Sequence, residues 1–385
     1  MRIAIVHDWL DTWRGGESTL AEVLTVFPDA DLYALVDFLP EESRALLLGK
    51  RAHASFLQRI PGARRHFRAL LPLFPRAIES LDVSAYDVVV SVSHAVAKGV
   101  RTNPGQLHAC YCLTPMRYAW DMRESYLASV GAQHGIRRAL ADGILDRLRR
   151  WDVDSSRRVS SFIAISDYIR QRILRCYHRQ AAVIHPPVDV DYFTPPSATT
   201  PAEAFVTASH WVAYKRIDLI VKAFRSMPSH RLIVAGSGPD AERARESGAS
   251  NVQFVGEVSK ERLRDLLRTA RAFVFAGEED FGIAPLEAQA CGTPVIAYAR
   301  GGVAETVRGL DSAQPTGVFF SEQTEAAICE AVTQFEHHCG RIGSEACRAN
   351  ARRFGRDVFR SRFAEHMAGL IDEFKTGRTA RVAPC

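Results

Sequence analysis

Short, continuous apolar runs alternate with amphipathic stretches along almost the whole chain. Such runs are typical of strands buried on both faces of a parallel sheet, and the stretches between them are typical of helices that cover the sheet. The first half predicts strands at 2–8, 31–37, 86–93, 108–113 and 161–166, and helices at 17–27 and 167–179. The second half predicts strands at 204–209, 231–237, 251–258, 272–277, 293–299 and 316–320, and helices at 216–227, 259–270, 324–335 and 344–374.

The alternation is interrupted once, by the proline-rich segment 182–203, which has no helical period. A chain of 385 residues also exceeds one ordinary domain, since domains usually hold roughly 100–200 residues. We therefore predict an α/β protein with two doubly wound, Rossmann-like domains. The predicted parts are an N-terminal domain at 1–190, a linker at 191–203, a C-terminal domain at 204–360, and a C-terminal helix and tail at 361–385 that pack back on the first domain.

The composition is that of an ordinary globular protein, with 47% hydrophobic and 24% charged residues. No apolar stretch approaches the roughly 20 residues that span a bilayer, and the N-terminus lacks the features of a signal peptide. The eight cysteines are scattered without the spacing of a disulfide framework or a zinc site. These features favour a cytoplasmic protein with reduced thiols, and the net charge of +5 does not by itself imply a nucleic-acid partner.

One segment mixes basic and apolar side chains closely. Arg59, Arg64, Arg65, His66 and Arg68 alternate with phenylalanines and leucines over 56–74. Such a mixture could lie on an anionic membrane surface, or it could form a packed helix whose arginine stems cover apolar neighbours. Both interpretations stay open at this stage.

Candidate chemistry is concentrated in the segment 276–305. A strand ends near its start, and Pro285 and Gly292 favour a short helix at about 284–291. The helix N-terminus presents free N–H groups and partial positive charge, which suit a diphosphate. Glu279 and Glu287 are suitable acceptors for sugar hydroxyls, and Gly282 allows the backbone to approach a ligand closely. Taken alone, Glu279 is explained equally well as a solvated loop residue, and Glu287 as a charge that complements the helix dipole.

The sequence EDFGIAPLEAQACGTPVIA, with Glu279 and Glu287 in an ExxxxxxxE spacing, resembles the donor site of glycosyltransferase family 4. The resemblance implies the GT-B fold, two Rossmann-like domains facing a central cleft, and a retaining reaction. By the same resemblance, Glu279 contacts the transferred sugar, Glu287 holds the ribose, and the backbone of Phe281, Gly282 and Ile283 meets the sugar and diphosphate.

Other segments extend the resemblance over almost the whole chain. The sequence at 7–18 is similar to the family's first βα loop and places Gly15 and Gly16 at the cleft. The sequence at 209–224 is similar to the cationic diphosphate motif and assigns phosphate contacts to Lys215 and Arg216. Cations at a helix start oppose the helix dipole and do not stabilise the helix locally. An anionic ligand is therefore the favoured explanation for these two cations. The segments 93–102 and 110–121 resemble the bacterial O-antigen and exopolysaccharide branch, which includes GDP-mannose-dependent mannosyltransferases.

Two positions depart from the family pattern. His210 stands where many members have arginine, and a neutral imidazole lacks the bidentate fork of a guanidinium. Leu113 stands where the branch has a histidine near the transferred sugar, and leucine forms no hydrogen bond. His94 and His108 are near in sequence and are candidates to replace it, although a structural role is the simpler expectation for each.

The resemblance implies transfer of a hexose, mannose from GDP-mannose being favoured, without a metal ion or another cofactor. Lys215, Arg216 and the helix start near 282–285 would stabilise the leaving diphosphate. The expected acceptor is a polyprenyl-diphosphate-linked oligosaccharide, which places the enzyme peripherally on the cytoplasmic face of the inner membrane, in lipopolysaccharide or exopolysaccharide synthesis.

Three other functions are compatible with some of these residues. A nucleotide-sugar epimerase uses the same double fold, and His210 and Leu113 are compatible with a non-catalytic nucleotide-sugar-binding protein. The segment 235–240, AGSGPD, is the nearest match to a dinucleotide-binding fingerprint. Its third glycine and its acidic ribose residue are missing, which disfavours an oxidoreductase.

Overall fold

The computed structural model describes residues 1–197 and 203–377, which form two compact units. The first unit comprises Met1–His185 and the chain from Phe359 onward, and the second comprises Pro186–Val358. The boundary between the units thus lies five residues before the predicted end of the N-terminal domain, since Pro186 and not residue 191 begins the second unit. Residues 198–202 of the predicted linker and 378–385 of the predicted tail lie outside the described residues.

The first unit is built on a parallel seven-stranded sheet of order β3-β2-β1-β4-β5-β6-β7. Its centre is buried on both faces, since every residue of β4 and β5 is buried. Two strands, β3 and β7, had not been predicted. They are short edge strands, and β7 lies within the predicted N-terminal domain, where it overlaps the start of the proline-rich segment at 182–203. The strands are β1 Ile3–His7, β2 Asp31–Ala34, β3 His53–Ala54, β4 Val88–Ser93, β5 Leu107–Cys112, β6 Ser161–Ala164 and β7 Ala181–Val183.

Helices and helical turns cover this sheet. The α-helices are α1 Gly15–Val26, α2 Glu41–Arg44, α3 Ala63–His66, α4 Phe74–Glu79, α5 Arg123–Ser129, α6 Gly135–Ser156 and α7 Asp167–Tyr177. The segment 56–74 is not one helix, as its packed interpretation required. It is a series of short α and 3-10 turns that are separated at residues 60–62, and Pro72 lies within one of the 3-10 turns, where it lacks the N–H of a continuous α-helix. Phe67 and Phe74 from this segment are buried in the core of the first unit.

The second unit has a parallel six-stranded sheet of order β10-β9-β8-β11-β12-β13. The strands are β8 Ala204–Ala208, β9 Arg231–Ala235, β10 Val252–Gly256, β11 Ala270–Phe275, β12 Val295–Tyr298 and β13 Gly317–Phe320. The α-helices are α8 Ile217–Arg225, α9 Ala241–Glu246, α10 Lys260–Arg268, α11 Ile283–Ala290, α12 Val303–Thr306, α13 Glu325–His338 and α14 Ser344–Arg352. The strand order reverses between β8 and β11, which is the switch point where doubly wound sheets hold their ligands.

The described part of the predicted linker packs on the second unit. Arg348 donates hydrogen bonds from Nη1 to the carbonyl oxygens of Val190 (2.5 Å) and Phe193 (2.8 Å), and the Phe193 side chain is buried. Val188 N donates to Phe354 O at 2.8 Å. The described part of this proline-rich segment is thus held on the second unit by hydrogen bonds and burial.

The predicted helix at 344–374 is divided in two. After α14, residues 353–355 separate it from α15, Arg356–Lys375. Phe359 and Phe363 pack edge-on against Tyr111, with ring centroids 5.7 and 5.9 Å away, and Arg360 Nε donates to Glu22 at 2.6 Å. The structure thus places most of α15 on the first unit.

No helix within residues 1–197 and 203–377 has both the length and the apolar character needed to cross a membrane.

Candidate active site

The predicted donor loop connects β11 to α11 in the second unit. Gly282 precedes the helix at φ 92°, a left-handed conformation that is unfavourable for other residues, and α11 begins at Ile283. Pro285 lies in the first turn, where its missing N–H would have no intrahelical partner. Phe281 is buried and its ring lies 5.8 Å from that of Phe354. The Phe281 side chain therefore anchors the loop, and only its backbone is suited to a ligand.

A second loop, the glycine loop at residues 300–302, holds the donor loop in place. Gly302 N donates to Glu279 O at 2.8 Å. A Cβ atom on Gly301 would lie 2.3 Å from Glu279 O, and one on Gly302 would lie 2.4 Å from Phe281 Cα. Real Cβ atoms do not approach this closely, so both positions require glycine. This contact was not predicted from the sequence, although the adjacent glycines after a buried strand were a visible signal.

Lys215 and Glu279 form the central ion pair of the site. Lys215 Nζ donates a hydrogen bond to Glu279 Oε1, and the two side chains are only 16% and 18% exposed. The backbones of their loops also meet, because a Cβ on Gly277 would lie 3.3 Å from Lys215 Cα. The structure therefore brings together one cation and one carboxylate that the sequence analysis had assigned to phosphate and sugar.

Arg216 lies at the start of α8, as predicted. It is the N-cap residue, at φ 54°, a strained conformation for an arginine. Its Nη1 donates to Gln323 Oε1 at 3.3 Å, and Gln323 Nε2 in turn donates to Ala276 O at 2.7 Å. Gln323 thus connects Arg216 to the end of β11, a link that sequence spacing did not reveal.

Glu287 lies on α11 in a different electrostatic environment from Glu279. Burial raises the pKa of Glu287 to about 7, with a smaller opposing effect of Lys260 and a smaller reinforcing effect of Asp189. Lys260 Nζ is itself bound to Asp189 Oδ2 at 2.7 Å. Glu287 is therefore a carboxyl group that changes its charge near neutral pH.

The remaining predicted donor residue of this unit, His210, is exposed on the loop after β8. The loop is fixed by its neighbour Trp211, whose Nε1 donates to Ala235 O at 3.1 Å. Gly236 and Gly238 are required where the segment after β9 packs against this loop, because Cβ atoms there would lie 1.9 Å from Ser209 O and 2.3 Å from Trp211 O. The glycines of the AGSGPD segment thus have a packing role, which removes the argument for a dinucleotide fingerprint.

Gly15 and Gly16 begin α1 in the first unit. The Glu17 carboxylate accepts a hydrogen bond from Arg14 N at 2.8 Å, which fixes the helix start. A Cβ on Gly16 would lie 3.3 Å from Leu113 Cδ1. The departure at Leu113 therefore places an apolar side chain directly beside the glycine pair.

The two candidate replacement histidines have different environments. His108 is fully buried, its Nε2 lies 2.9 Å from Ser91 Oγ, and burial lowers its pKa to about 3. It is a structural residue, as expected. His94 is partly exposed and contacts the buried carboxylate of Asp8, an arrangement that the sequence analysis did not anticipate.

No group of three or more His, Cys, Asp or Glu residues is arranged to hold a metal ion within the two described ranges. Near the predicted donor loop, the second unit holds the cationic side chains of Lys215 and Arg216 and the N-terminus of α11.

Residues 196–354 match the family model described as glycosyl transferases group 1. This region comprises nearly the whole second unit, with the donor loop and the Lys215–Glu279 pair. D-inositol 3-phosphate glycosyltransferase of Mycolicibacterium smegmatis is 32% identical over 205 residues, which cover 48% of this chain and 43% of that protein. The same-named protein of Mycobacterium bovis is 30% identical over 224 residues, covering 52% and 46%. The chain thus spans less than half the length of these curated relatives.

Solved structures match over nearly the full length. Sucrose-phosphate synthase from Thermosynechococcus elongatus has a TM-score of 0.69 at 19% identity, covering 97% of this chain and 100% of that chain. Anabaena HepE in complex with UDP and glucose has a TM-score of 0.68 at 16% identity, covering 96% and 99%. The predicted GT-B fold is confirmed, and the family match together with the relatives' names supports the broader prediction of a glycosyltransferase. The finer prediction of an O-antigen or exopolysaccharide mannosyltransferase stays a prediction.

Proposed function

We propose that the chain is a retaining glycosyltransferase that moves a hexose from a nucleotide sugar to an acceptor hydroxyl. The observation that carries this proposal is the Lys215–Glu279 pair beside the start of α11. A nucleotide sugar would replace the contact within the pair by two new ones. The ammonium would bind the diphosphate, and the carboxylate would accept a hydrogen bond from the sugar.

The proposed reaction breaks the bond between the anomeric carbon and the diphosphate oxygen, and the electron pair leaves with that oxygen. A new bond forms from the acceptor hydroxyl oxygen to the anomeric carbon on the same face, and the hydroxyl proton passes to the departing phosphate. Lys215, Arg216 and the N–H groups at the start of α11 stabilise the charge that develops on the leaving oxygen. Glu287 accepts a hydrogen bond from the ribose.

We propose GDP-mannose as the donor, because the segments 93–102 and 110–121 resemble the mannosyltransferase branch. HepE was solved in complex with UDP-glucose, which makes that sugar nucleotide the matched comparison. A thermal-shift screen of GDP-mannose, UDP-glucose, GDP and UDP tests this choice. Stabilisation by GDP-mannose above that by UDP-glucose supports it, and the reverse order would replace it.

For the acceptor we propose a polyprenyl-diphosphate-linked oligosaccharide at the cytoplasmic face of the inner membrane. In support, α6 exposes Ile136 (79%) and Leu140 (64%) at helical spacing on one face, with Arg137 and Arg147 beside them. An exposed apolar stripe with adjacent cations is suited to an anionic lipid surface. The names of the curated relatives instead suggest an inositol phosphate acceptor.

Two assays separate these acceptors. Sedimentation with phosphatidylglycerol vesicles should retain the protein, and Leu140→Asp should weaken this binding, whereas Leu174→Asp, at an exposed leucine on α7, should not. Transfer to inositol 3-phosphate in the absence of any lipid would contradict the polyprenyl proposal.

Release of a free epimerised nucleotide sugar would favour the epimerase, and donor binding without turnover on any acceptor would favour a binding protein.

A further inference from the structure

Two buried amide side chains meet at one backbone carbonyl in the second unit. Asn350 Nδ2, on α14, donates to Thr306 O at 2.7 Å, and Gln289 Nε2, on α11, donates to the same oxygen at 3.0 Å. Asn350 Nδ2 also donates to Gln289 Oε1 at 2.7 Å. All three residues are at most 1% exposed. This amide cluster of Gln289, Thr306 and Asn350 therefore ties α11, α12 and α14 to one another.

The neighbours of the two amides determine their orientation. Arg353 Nη1 donates to Asn350 Oδ1 at 3.0 Å, so the nitrogen end of this amide faces the two oxygen acceptors. Gln289 accepts through Oε1 and donates through Nε2, which also donates to Pro285 O at 3.4 Å. An amide donates only through its nitrogen and accepts only through its oxygen. Neither side chain can therefore be reversed without a loss of hydrogen bonds.

The carbonyl at the centre of the amide cluster ends a helix of about one turn. α12 comprises four residues, and Thr306 is the last of them. The carbonyls of a last helical turn have no intrahelical donor, and a buried carbonyl without a donor is destabilising. A helix of this length is also not stable on its own. The two amides thus fix the end of α12, which its own hydrogen bonds do not hold.

The start of α12 contacts the donor loop. Gly302 is the N-cap of α12, and its N–H donates to Glu279 O at 2.8 Å, while Gly301 pairs with Glu279 in a β-bridge. A Cβ on Gly282 would lie 3.7 Å from Val303 Cβ, an ordinary van der Waals distance. The first residue of α12 therefore lies against the turn that begins α11. One short helix connects the amide cluster to the backbone of the donor loop.

We propose that Gln289 and Asn350 are positioning residues for the binding of the nucleotide sugar. They hold Thr306 at one end of α12, and the other end of α12 holds the backbone of Glu279 through the glycine loop. Loss of either amide should displace the donor loop and leave the loop after β8, with Lys215, in place. This inference rests on the proposed transfer function, because it takes the donor loop as the site of the nucleotide sugar.

An asparagine elsewhere in the second unit provides a matched control. Asn251 Nδ2 donates to the carbonyl oxygens of Phe224 (2.8 Å), Met227 (3.0 Å) and His230 (2.8 Å). It directly precedes β10, at the edge of the parallel sheet opposite to the donor loop. Asn350→Ala and Asn251→Ala should both lower Tm, because each leaves backbone carbonyls without their donor.

Donor affinity separates the two asparagine variants. Asn350→Ala should weaken binding of GDP-mannose or UDP-glucose, whichever binds the wild-type chain, by roughly tenfold to a hundredfold, because small displacements of binding groups have effects of this size. Asn251→Ala should bind as wild type does. The loss should be smaller for GDP or UDP, since we place the sugar at Glu279 and the phosphates at Lys215. Equal losses for nucleotide sugar and nucleoside diphosphate would indicate general destabilisation and would overturn the proposal.

A second variant keeps the test decisive if Asn350→Ala does not fold. Gln289→Met preserves the length of the side chain, removes the amide, and should show the same pattern over the ligands. When both variants fold, the double variant should bind the nucleotide sugar about as well as the weaker single variant, because both amides act through Thr306 O. Donor affinity equal to that of Asn251→Ala in either folded variant means that the amide cluster has no positioning role.

Hydrogen–deuterium exchange tests the positioning without any ligand. Exchange over the glycine loop, where Gly302 N–H is bonded to Glu279 O, should be faster in Asn350→Ala than in wild type and unchanged in Asn251→Ala. If the glycine loop loosens in this way but the wild-type chain binds no nucleotide sugar, the proposed function fails and the contact between the loops remains. If nucleotide sugar is bound and turned over while exchange at the glycine loop is the same in both asparagine variants, the positioning role alone is rejected.

Discussion

Lys215 and Glu279 are 64 positions apart in the chain, yet the ammonium of one donates a hydrogen bond to the carboxylate of the other. The relationship follows from the sheet topology. Lys215 lies on the loop after β8 and Glu279 on the loop after β11, and these strands are parallel neighbours. Their carboxyl ends meet at the switch point of the sheet, so two distant motifs become one charged site.

Glu279→Ala and Lys215→Ala should each lower turnover by about a hundredfold or more, because each removes a group that we propose stabilises the transition state. The measurement is release of nucleoside diphosphate with acceptor present, together with a thermal-unfolding curve. Each variant should stay folded, since both side chains retain partial contact with solvent. Glu246→Ala, at an exposed glutamate of α9, is the control. Wild-type-like turnover in both site variants would reject the assignment of this pair.

Fold class and most strands of both sheets could be predicted from the sequence, because strands buried on both faces leave continuous apolar runs. β4 and β5 are completely buried and were predicted to within two residues. The edge strands β3 and β7 are short and only partly buried. They carry little of this signal, so the sequence did not reveal them.

The turn at Gly282 and the helix that follows it could be predicted, because the residues that determine them are contiguous in sequence. The glycine loop at 300–302, Gln323 beside Arg216, and Asp8 beside His94 could not be assigned in the same way. Each depends on contacts between segments that only the folded sheet brings together. His94 and Asp8, for example, are 86 positions apart, and their contact depends on the pairing of β1 with β4.

Glu287 should make donor binding depend on pH. Its pKa is raised to about 7, so the carboxylate that we propose accepts the ribose hydrogen bond forms only as pH rises through neutrality. We expect donor affinity to increase between pH 6 and 8, approaching a tenfold gain per unit below pH 7. Calorimetric titrations at several pH values measure this. Glu287→Gln should bind more weakly and should flatten the profile.

The same shift has the opposite consequence for stability. Between the ordinary glutamate pKa and about 7, the unfolded chain has lost the Glu287 proton and the folded chain retains it. The contribution of Glu287 to the free energy of unfolding therefore falls as pH rises through this window. Relative to wild type, Glu287→Gln should be more stable at pH 8 than at pH 5. A difference in Tm that is independent of pH would contradict the raised pKa.

Gly302→Ala should displace the donor loop without a change of charge. The backbone φ of Gly302 is −65°, which alanine adopts easily, so the only conflict is the added Cβ, 2.4 Å from Phe281 Cα and 2.6 Å from Asp280 O. Overpacking of this kind costs roughly 1–3 kcal/mol. We expect a lower Tm and weaker binding of the nucleotide sugar. Gly369→Ala, within α15 and without an atom in 4 Å of the added Cβ, should keep binding intact and raise Tm slightly. Unchanged donor affinity in Gly302→Ala would show that the glycine loop does not position the donor loop.

Arg216→Gly should separate stability from function at the start of α8. Arginine at φ 54° is strained, and glycine removes this strain, which amounts to about 1 kcal/mol. The variant should therefore keep its Tm or gain slightly, yet bind GDP or UDP more weakly, because the guanidinium that we propose contacts the diphosphate is lost. His178→Gly is the matched control, since His178 has φ 55° at the end of α7 in the first unit. It should gain similar stability with unchanged nucleotide affinity. Equal nucleotide affinity in both glycine variants would mean that Arg216 takes no part in phosphate binding, and that Lys215 and the start of α11 act without it.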